Sequence, residues 1–357
     1  MTSPIDTEAL DIGAGPVGLF QVFQLGLQGI RCHVVDALPH VGGQCAELYA
    51  DKPIYDIPGI PYCTGRELIE RLQQQIAPFQ PVFHLGQPVS HLARQPDQRF
   101  QLSTASGLSF VASTVFIAAG VGAFVPRRLG VEGLEAFEGS QVFFETAALL
   151  EPAELAQPDQ APPWTGRHLV VAGDSDSALQ TCLDACTGPH AAASVTLLHR
   201  RDQFSAAPER VAQMRQACSA GRMRFVAGQP TGLRADSGQL QALELLNPQG
   251  ETEWLSLDVL QTCLGLSPKL GPVAQWGLAM ARKQLEVSTE TFATSEPGIF
   301  AVGDINTYPG KKKLILCGFH EATLAAFGAV ALLRPEEKTL LQYTTTSSVL
   351  HQRLGIA

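Results

Sequence analysis

At 357 residues the chain has room for two domains of ordinary size, and 45% hydrophobic content with 33 glycines suits an α/β protein with many tight strand-to-helix turns. The net charge of −9, with no long basic stripe, excludes nucleic acid as the main partner. The longest apolar run, 324–333, is about half the ~20 residues of a membrane span, and residues 1–9 lack the charges and apolar stretch of a signal peptide. A soluble, cytoplasmic protein with no membrane partner is expected.

Residues 8–13 read as a short buried strand running into Gly13-Ala14-Gly15-Pro16-Val17-Gly18, a complete G-x-G-x-x-G. A helix from Leu19 to Gly29 and a second strand from Ile30 to Asp36 complete one βαβ unit. Gly13 makes the tight turn, Gly15 lets a pyrophosphate touch backbone, and Gly18 lets helix and strand approach; the helix amides and dipole then hold the phosphates. Asp36, 23 positions after Gly13, is placed to accept from ribose hydroxyls. Asp11 is the oddity, a carboxyl where a buried apolar residue is expected. It must be hydrogen-bonded or protonated, or the strand is locally distorted.

Pro88 to Ile117 reads as a β-meander, and the Pro-rich stretch Glu151 to Trp164 as a surface loop. The βαβ grammar then returns. His168–Ala172 is a strand, Gly173-Asp174-Ser175-Asp176-Ser177-Ala178 a second glycine loop, Ser177 to Ala185 a helix, and Ser194–His199 a strand ending on Arg200 and Arg201. Guanidinium forks match a 2′-phosphate, which favours NADPH over NADH. This loop is worn: Ser175 stands where the middle glycine belongs, and Asp174 adds negative charge beside a pyrophosphate.

The eight cysteines contain no C-x-x-C. Cys182 and Cys186 share a helix face, but i, i+4 spacing holds their Cβ atoms ~6 Å apart, beyond the ~4 Å of a disulfide; buried-core cysteines are expected. Near the end, Gly298-Ile299-Phe300-Ala301-Val302-Gly303-Asp304, then Thr307 to Lys313 and a helix from His320, form another strand, turn and helix that can meet a cofactor. Glycine-rich 119–122 and Ser295-Glu296-Pro297-Gly298 suggest boundaries: a discontinuous first domain, 1–121 and 293–357, and an inserted second, 122–292.

Gly13–Gly18, Gly42-Gly43-Gln44, Ile54-Tyr55-Asp56-Ile57-Pro58-Gly59, His199-Arg200-Arg201-Asp202 and Ala301–Asp304 together resemble the thioredoxin-reductase-like flavoproteins. Residues 118–124, 267–272 and 305–311 resemble, within that group, the ferredoxin/flavodoxin–NADP⁺ reductases, over roughly residues 8 to 351. The absence of C-x-x-C in the second domain departs from thioredoxin reductase itself.

The resemblance implies two Rossmann-like three-layer domains, FAD in the first, NADPH in the second, and a homodimer exchanging electrons with ferredoxin or flavodoxin. It assigns FAD contacts to Gly13, Gly15, Pro16, Gly18, Asp36, Gln44, Tyr49, Val89, Phe124, Asp304 and Thr345, with Tyr49 stacked on one flavin face. Nucleotide contacts fall to Gly173, Ser175, Arg200 and Arg201. The tail 342–347 would cross to the partner subunit, where Tyr343, or failing that His351, covers the other face, and Thr345 could tune flavin N5. Ser205 stands where the family usually supplies another arginine. Lys311, Lys312 and Lys313, with Arg127 and Arg128, are candidates for steering an acidic carrier. Two alternatives stay open: a flavoprotein of the same fold that has lost productive NADPH use, acting with another donor or as a regulator, and a thiol-disulfide oxidoreductase using Cys182 and Cys186.

Overall fold

The computed structural model describes residues 3–144, 161–337 and 341–356; most of the expected loop at 151–164 and the side chain of Phe124 lie outside the described residues. The chain folds as two compact units, Met1–Ala123 with Pro268–Ala357, and Phe124–Ser267.

The first unit is built on a seven-stranded sheet. Ile5–Ile12 lies between Cys32–Val35 and Ser109–Ile117, parallel to both, and Val82–His84 extends the Cys32 side. Ser109–Ile117 divides its far edge. Ser109–Ala112 pairs antiparallel with Phe100–Thr104, which belongs to the expected meander, while Val115–Ile117 takes the returning strand Ile299–Ala301 in parallel. Leu10, Val115 and Phe116 are fully buried, as strands covered on both faces require.

Helix Pro16–Leu27 starts with proline at its first position, where no amide partner is lost. It packs against Gly65–Ile76 and Ile315–Leu333. Gly65–Ile76 is fixed at its start by a capping box in which Thr64 accepts from Glu67 N–H and Glu67 accepts from Thr64 N–H.

Two sequence expectations change here. The chain returns to the first unit at Pro268, not near 293. Val273, Leu278 and Leu285 are widely spaced along an irregular segment, yet all bury in the cluster that holds Leu10, Val35 and Ile299. The last long helix begins at Ile315 rather than His320, and its 19 residues are long and apolar enough to cross a membrane by length and composition. In this fold Gly318, Ala322, Ala325, Ala326 and Ala329 are buried, and such small side chains allow close helix packing.

The second unit carries a five-stranded parallel sheet in the order Val142–Phe144, Val259–Cys263, His168–Gly173, Ser194–His199, Arg224–Ala227. Leu179, Cys182, Met214 and Ala217 of helices Asp176–Ala185 and Pro208–Ser219 bury in one cluster with Leu169 and Val171. Leu243, Leu245 and Leu255 of an antiparallel sheet share another with Val170 and Leu260, giving three layers. Cys182 is fully buried and Cys186 half-buried; both are free thiols pushed above their ordinary value by burial, the opposite of what thiolate chemistry needs.

Candidate functional site

Parallel strands present their C-terminal ends together, and ligands of open α/β sheets bind in the crevice just beyond them. In the first unit four segments leave from that edge: the loop 13–18 after Ile12, Asp36 after Val35, 118–122 after Ile117, and 302–304 after Ala301.

Two glycines of the loop are required sterically, and a third packs closely against it. Gly13 has φ +125°, and a Cβ there would lie 2.4 Å from the Ala118 carbonyl oxygen. A Cβ on Gly18 would sit 1.8 Å from the Gly13 carbonyl oxygen, so helix and strand can meet only through glycine. Gly43 brings its backbone against Gly15, where an added Cβ would lie 3.0 Å from the Gly15 Cα. The helix after this loop has Gly15 as N-cap, Pro16 behind it, no side-chain cap and no acid in its first turn. Its free amides and positive dipole end are open to a diphosphate.

Asp36 is nearly buried and holds the loop directly, its Oδ2 accepting from Ala14 N–H at 2.6 Å and its Oδ1 from Leu38 N–H at 2.7 Å. Burial pushes its carboxyl above the ordinary range, and the two amide bonds pull it back. Each oxygen keeps a lone pair for a ribose hydroxyl. Gln44 Nε2 approaches Asp304 Oδ2 at 3.5 Å, and Gly303, at φ +79°, packs on Val17 in the first turn of the helix. Tyr49 is half-buried, its hydroxyl 3.7 Å from Cys45 Sγ; burial first, then Cys45 and Asp304, pushes its phenol up. Val89 is buried in the cluster of Leu10 and Val35, two residues after Gln87, whose N–H donates to the Asp36 carbonyl.

Asp11 lies beneath the loop, fully buried, with neither carboxyl oxygen hydrogen-bonded among the described residues. A Cβ on Gly18 would come within 3.2 Å of its Oδ2. Burial, then the neighbouring Asp36, raises its carboxyl well above the ordinary value. Of the sequence alternatives, protonation is the one these surroundings favour.

Tyr343 and Thr345 are not brought to this edge within one chain; both are exposed. They precede helix Ser348–Leu354, whose Arg353 donates to the Leu27 carbonyl, at the end of helix Pro16–Leu27 opposite the glycine loop. His351 bonds the Thr344 carbonyl at 2.6 Å. Lys311 is not a free surface cation, contrary to the expectation from sequence: its side chain is buried and paired with Glu321. Arg128 pairs with Glu138 at 2.6 Å, while Lys312 and Lys313 are exposed and make no ion pair among the described residues. Glu321, Asn306, Tyr308 and Gln284 form a hydrogen-bonded cluster around the Gly303–Asp304 turn, to which sequence reasoning gives no role. A lone acid inside the apolar run of Ile315–Leu333 is the available signal.

In the second unit Gly173 is again obligatory, since a Cβ would lie 2.4 Å from the Cys263 carbonyl oxygen. The remainder of this loop departs from the first. Ser175 is the N-cap, and its Oγ accepts from Ala178 N–H at 3.3 Å. Asp176 stands in the first turn with Oδ1 accepting from Ala207 N–H at 2.9 Å. The Asp174 carbonyl accepts from Ser205 N–H, Ser205 Oγ–H and Ala206 N–H at 3.0, 3.2 and 3.1 Å. Ser205 therefore clasps the glycine loop to the 205–207 segment. Arg200 and Arg201 are exposed just past the strand end, without ion pairs among the described residues. This helix start is already capped and flanked by two carboxylates, whereas the first is bare.

The residues of the first loop fit a dinucleotide: the cradle admits no Cβ at Gly13 or Gly18, the helix start is uncharged, and an acid stands at the ribose position. Those of the second fit one less well, with the 2′-phosphate arginines present but the pyrophosphate end partly self-satisfied.

A model of the pyridine nucleotide-disulphide oxidoreductase family matches residues 11–323. The ferredoxin–NADP reductase of Albidiferax ferrireducens is 56% identical over 354 residues, covering 99% of this chain and 97% of its own length. That of an Acidovorax species is 58% identical over 356 residues with the same coverage. The thioredoxin reductase of Lactococcus lactis superposes with a TM-score of 0.55 at 20% identity, over 92% of this chain and 99% of that one, which shows the fold. The chain therefore belongs to the pyridine nucleotide-disulphide oxidoreductase family, and within it to the ferredoxin–NADP reductases.

Proposed function

We propose that the protein exchanges electrons between NADPH and a ferredoxin or flavodoxin through bound FAD. The observation that carries the reading is the convergence of Gly13–Gly18, Asp36, Gln44 and Asp304 at one sheet edge, with Arg200 and Arg201 at the matching position of the second unit. Bound FAD supplies the conversion of one hydride into two single electrons. The chain's own residues supply position. The amides at the start of helix Pro16–Leu27 hold the diphosphate, Asp36 the ribose, and Gln44 and Asp304 approach the cofactor from two loops. Tyr49 covers one flavin face. No acid or base is needed for hydride transfer, and Tyr49 offers a neutral phenol, its ordinary alkaline titration raised further by burial.

The tail supports a homodimer. Helix Ser348–Leu354 is anchored away from the glycine loop and Tyr343 is 65% exposed, so the ring it covers would belong to the partner subunit. Lys312, Lys313 and Arg127 remain to steer an acidic carrier, and eight cysteines without a C-x-x-C suit a reducing, cytoplasmic setting.

Mixing the purified protein anaerobically with micromolar NADPH should bleach the flavin band rapidly. A flavin that stays oxidised with NADPH, yet reduces with dithionite, would sink the reading in favour of another electron donor; Ser175 and the two loop carboxylates are the features behind that second reading. Arg200→Ala should weaken NADPH binding ~10- to 100-fold, the loss of a charged phosphate contact, and barely change NADH. Equal effects on both would contradict a 2′-phosphate role.

A further inference from the structure

Glu321 is fully buried in the second turn of the apolar helix Ile315–Leu333. An isolated carboxylate there would be strongly unfavourable, so its partners say what it is for. Its Oε2 accepts from Gly303 N–H at 2.7 Å and from Asn306 Nδ2 at 2.8 Å. Its Oε1 accepts from Tyr308 O–H at 2.9 Å and from Lys311 Nζ. The Lys311 side chain is 7% exposed, and its Nζ also donates to the Gly303 carbonyl at 2.8 Å. The two charges thus hold both polar groups of one residue, the N–H through Glu321 and the C=O through Lys311.

That residue is the left-handed glycine packed on Val17, next to Asp304. Beyond it, Gln284 Nε2 donates to the carbonyls of Asp304 and Asn306 at 3.1 and 2.7 Å. The segment 303–311 would otherwise be a surface loop, with mobility to match. Instead it is tied to a core helix whose partner in packing is the very helix that starts at the glycine loop.

We propose that Lys311 and Glu321 are positioning residues: a buried ion pair that sets the Gly303–Asp304 turn against the start of helix Pro16–Leu27 and thereby holds bound FAD. This rests on the reading of the first glycine loop as the FAD site. It assigns the first lysine of the Lys311–Lys313 run to the cofactor and leaves the other two for the surface.

The test compares the FAD-loaded protein with Lys311→Met, Glu321→Gln, the double variant and Tyr308→Phe. Three quantities are read: the FAD dissociation constant, from recovered free-flavin fluorescence, the visible spectrum of the bound flavin, and the thermal midpoint. Each single variant of the pair should weaken FAD at least ~10-fold and shift the flavin band. The double variant leaves no unpaired buried charge, so its thermal midpoint should recover toward the parent while FAD stays weakly bound. Tyr308→Phe removes one donor to Glu321 but neither Gly303 bond, and should bind FAD within ~3-fold of the parent.

Parental FAD affinity in the double variant would overturn the proposal. So would Tyr308→Phe weakening FAD as much as Lys311→Met. Should the double variant not fold, Lys311→Arg, which keeps both the charge opposite Glu321 and a donor for the Gly303 carbonyl, decides in its place: FAD affinity nearer the parent than that of Lys311→Met supports the proposal, and a loss equal to that of Lys311→Met overturns it. If the parent itself bound no FAD, the reading of the site would fall instead, which is a different result.

Discussion

Asp174→Gly combined with Ser175→Gly is expected to tighten binding of NADP⁺ roughly 10- to 1000-fold, at ~1–2 kcal/mol for each change. Asp174 places a carboxylate beside the turn that approaches the pyrophosphate. Ser175 spends its hydroxyl, and the Ala178 amide, on capping its own helix. Removing both restores the bare, uncharged helix start that the first unit already has. The fold should tolerate the change. Ser-to-Gly at an N-cap costs only a few tenths of a kcal/mol, and the Asp174 carbonyl keeps its three donors because they bond backbone. Titration with NADP⁺, followed by calorimetry, checks this. An unchanged or weaker dissociation constant would mean that the worn loop does not limit nucleotide binding, and that the clasp from Ser205 sets the site's shape instead.

Asp11→Leu should stabilise the protein, by about 1–3 kcal/mol for an unpartnered buried polar group, and by more as pH rises. Leucine places two methyls where two unbonded oxygens now sit. The raised carboxyl sets the sign. Between its ordinary value near 3.8 and its raised folded value, the folded state binds more protons than the unfolded one. The contribution of Asp11 to stability is therefore present below the ordinary value and is lost as pH climbs through the folded one. Denaturant unfolding at pH 5 and pH 8 should show the variant ahead at both, with the larger gap at pH 8. Asp36 is raised as well, but it is common to both proteins and falls out of the difference to first order. A gap that does not change with pH would show that folded Asp11 is already ionised at pH 5, as it is in the unfolded chain.

Much of the scaffold is legible in the sequence because strands and glycine loops are local signals. Ser194–His199 is bounded to the residue, and Ile5–Ile12 and Pro16–Leu27 within a few residues at each end. What escapes depends on partners far along the chain. No local feature distinguishes Lys311 from Lys312 and Lys313; only the position of Glu321, ten residues on and one helix away, decides which lysine is buried. The turn at 295–298 suggests a late return to the first unit, whereas the apolar anchors Val273, Leu278 and Leu285, which mark the true return, follow no period. Ser205 reads in sequence as an arginine lost, and the backbone bond it makes to Asp174 cannot be inferred from spacing. For Tyr343 and Thr345, a single chain leaves both far from the cradle, so their proposed roles depend on the second subunit.

The divided edge of Ser109–Ile117 also has a consequence for how the chain is made. Its outer half finds its partner within a few residues, but Val115–Ile117 must wait for Ile299–Ala301, and the turn at Gly303 waits for Glu321. A ribosome adding 5–20 residues per second takes roughly 10–40 s to cover that distance. Every strand of the second unit's five-stranded sheet lies inside the interval, so that unit can complete its core first. Meanwhile a short apolar edge next to the future cofactor cradle stands with unpaired amides and carbonyls, the kind of edge that pairs with the wrong chain. Val115–Ile117 is therefore a vulnerable stretch of the nascent protein, and its protection comes late.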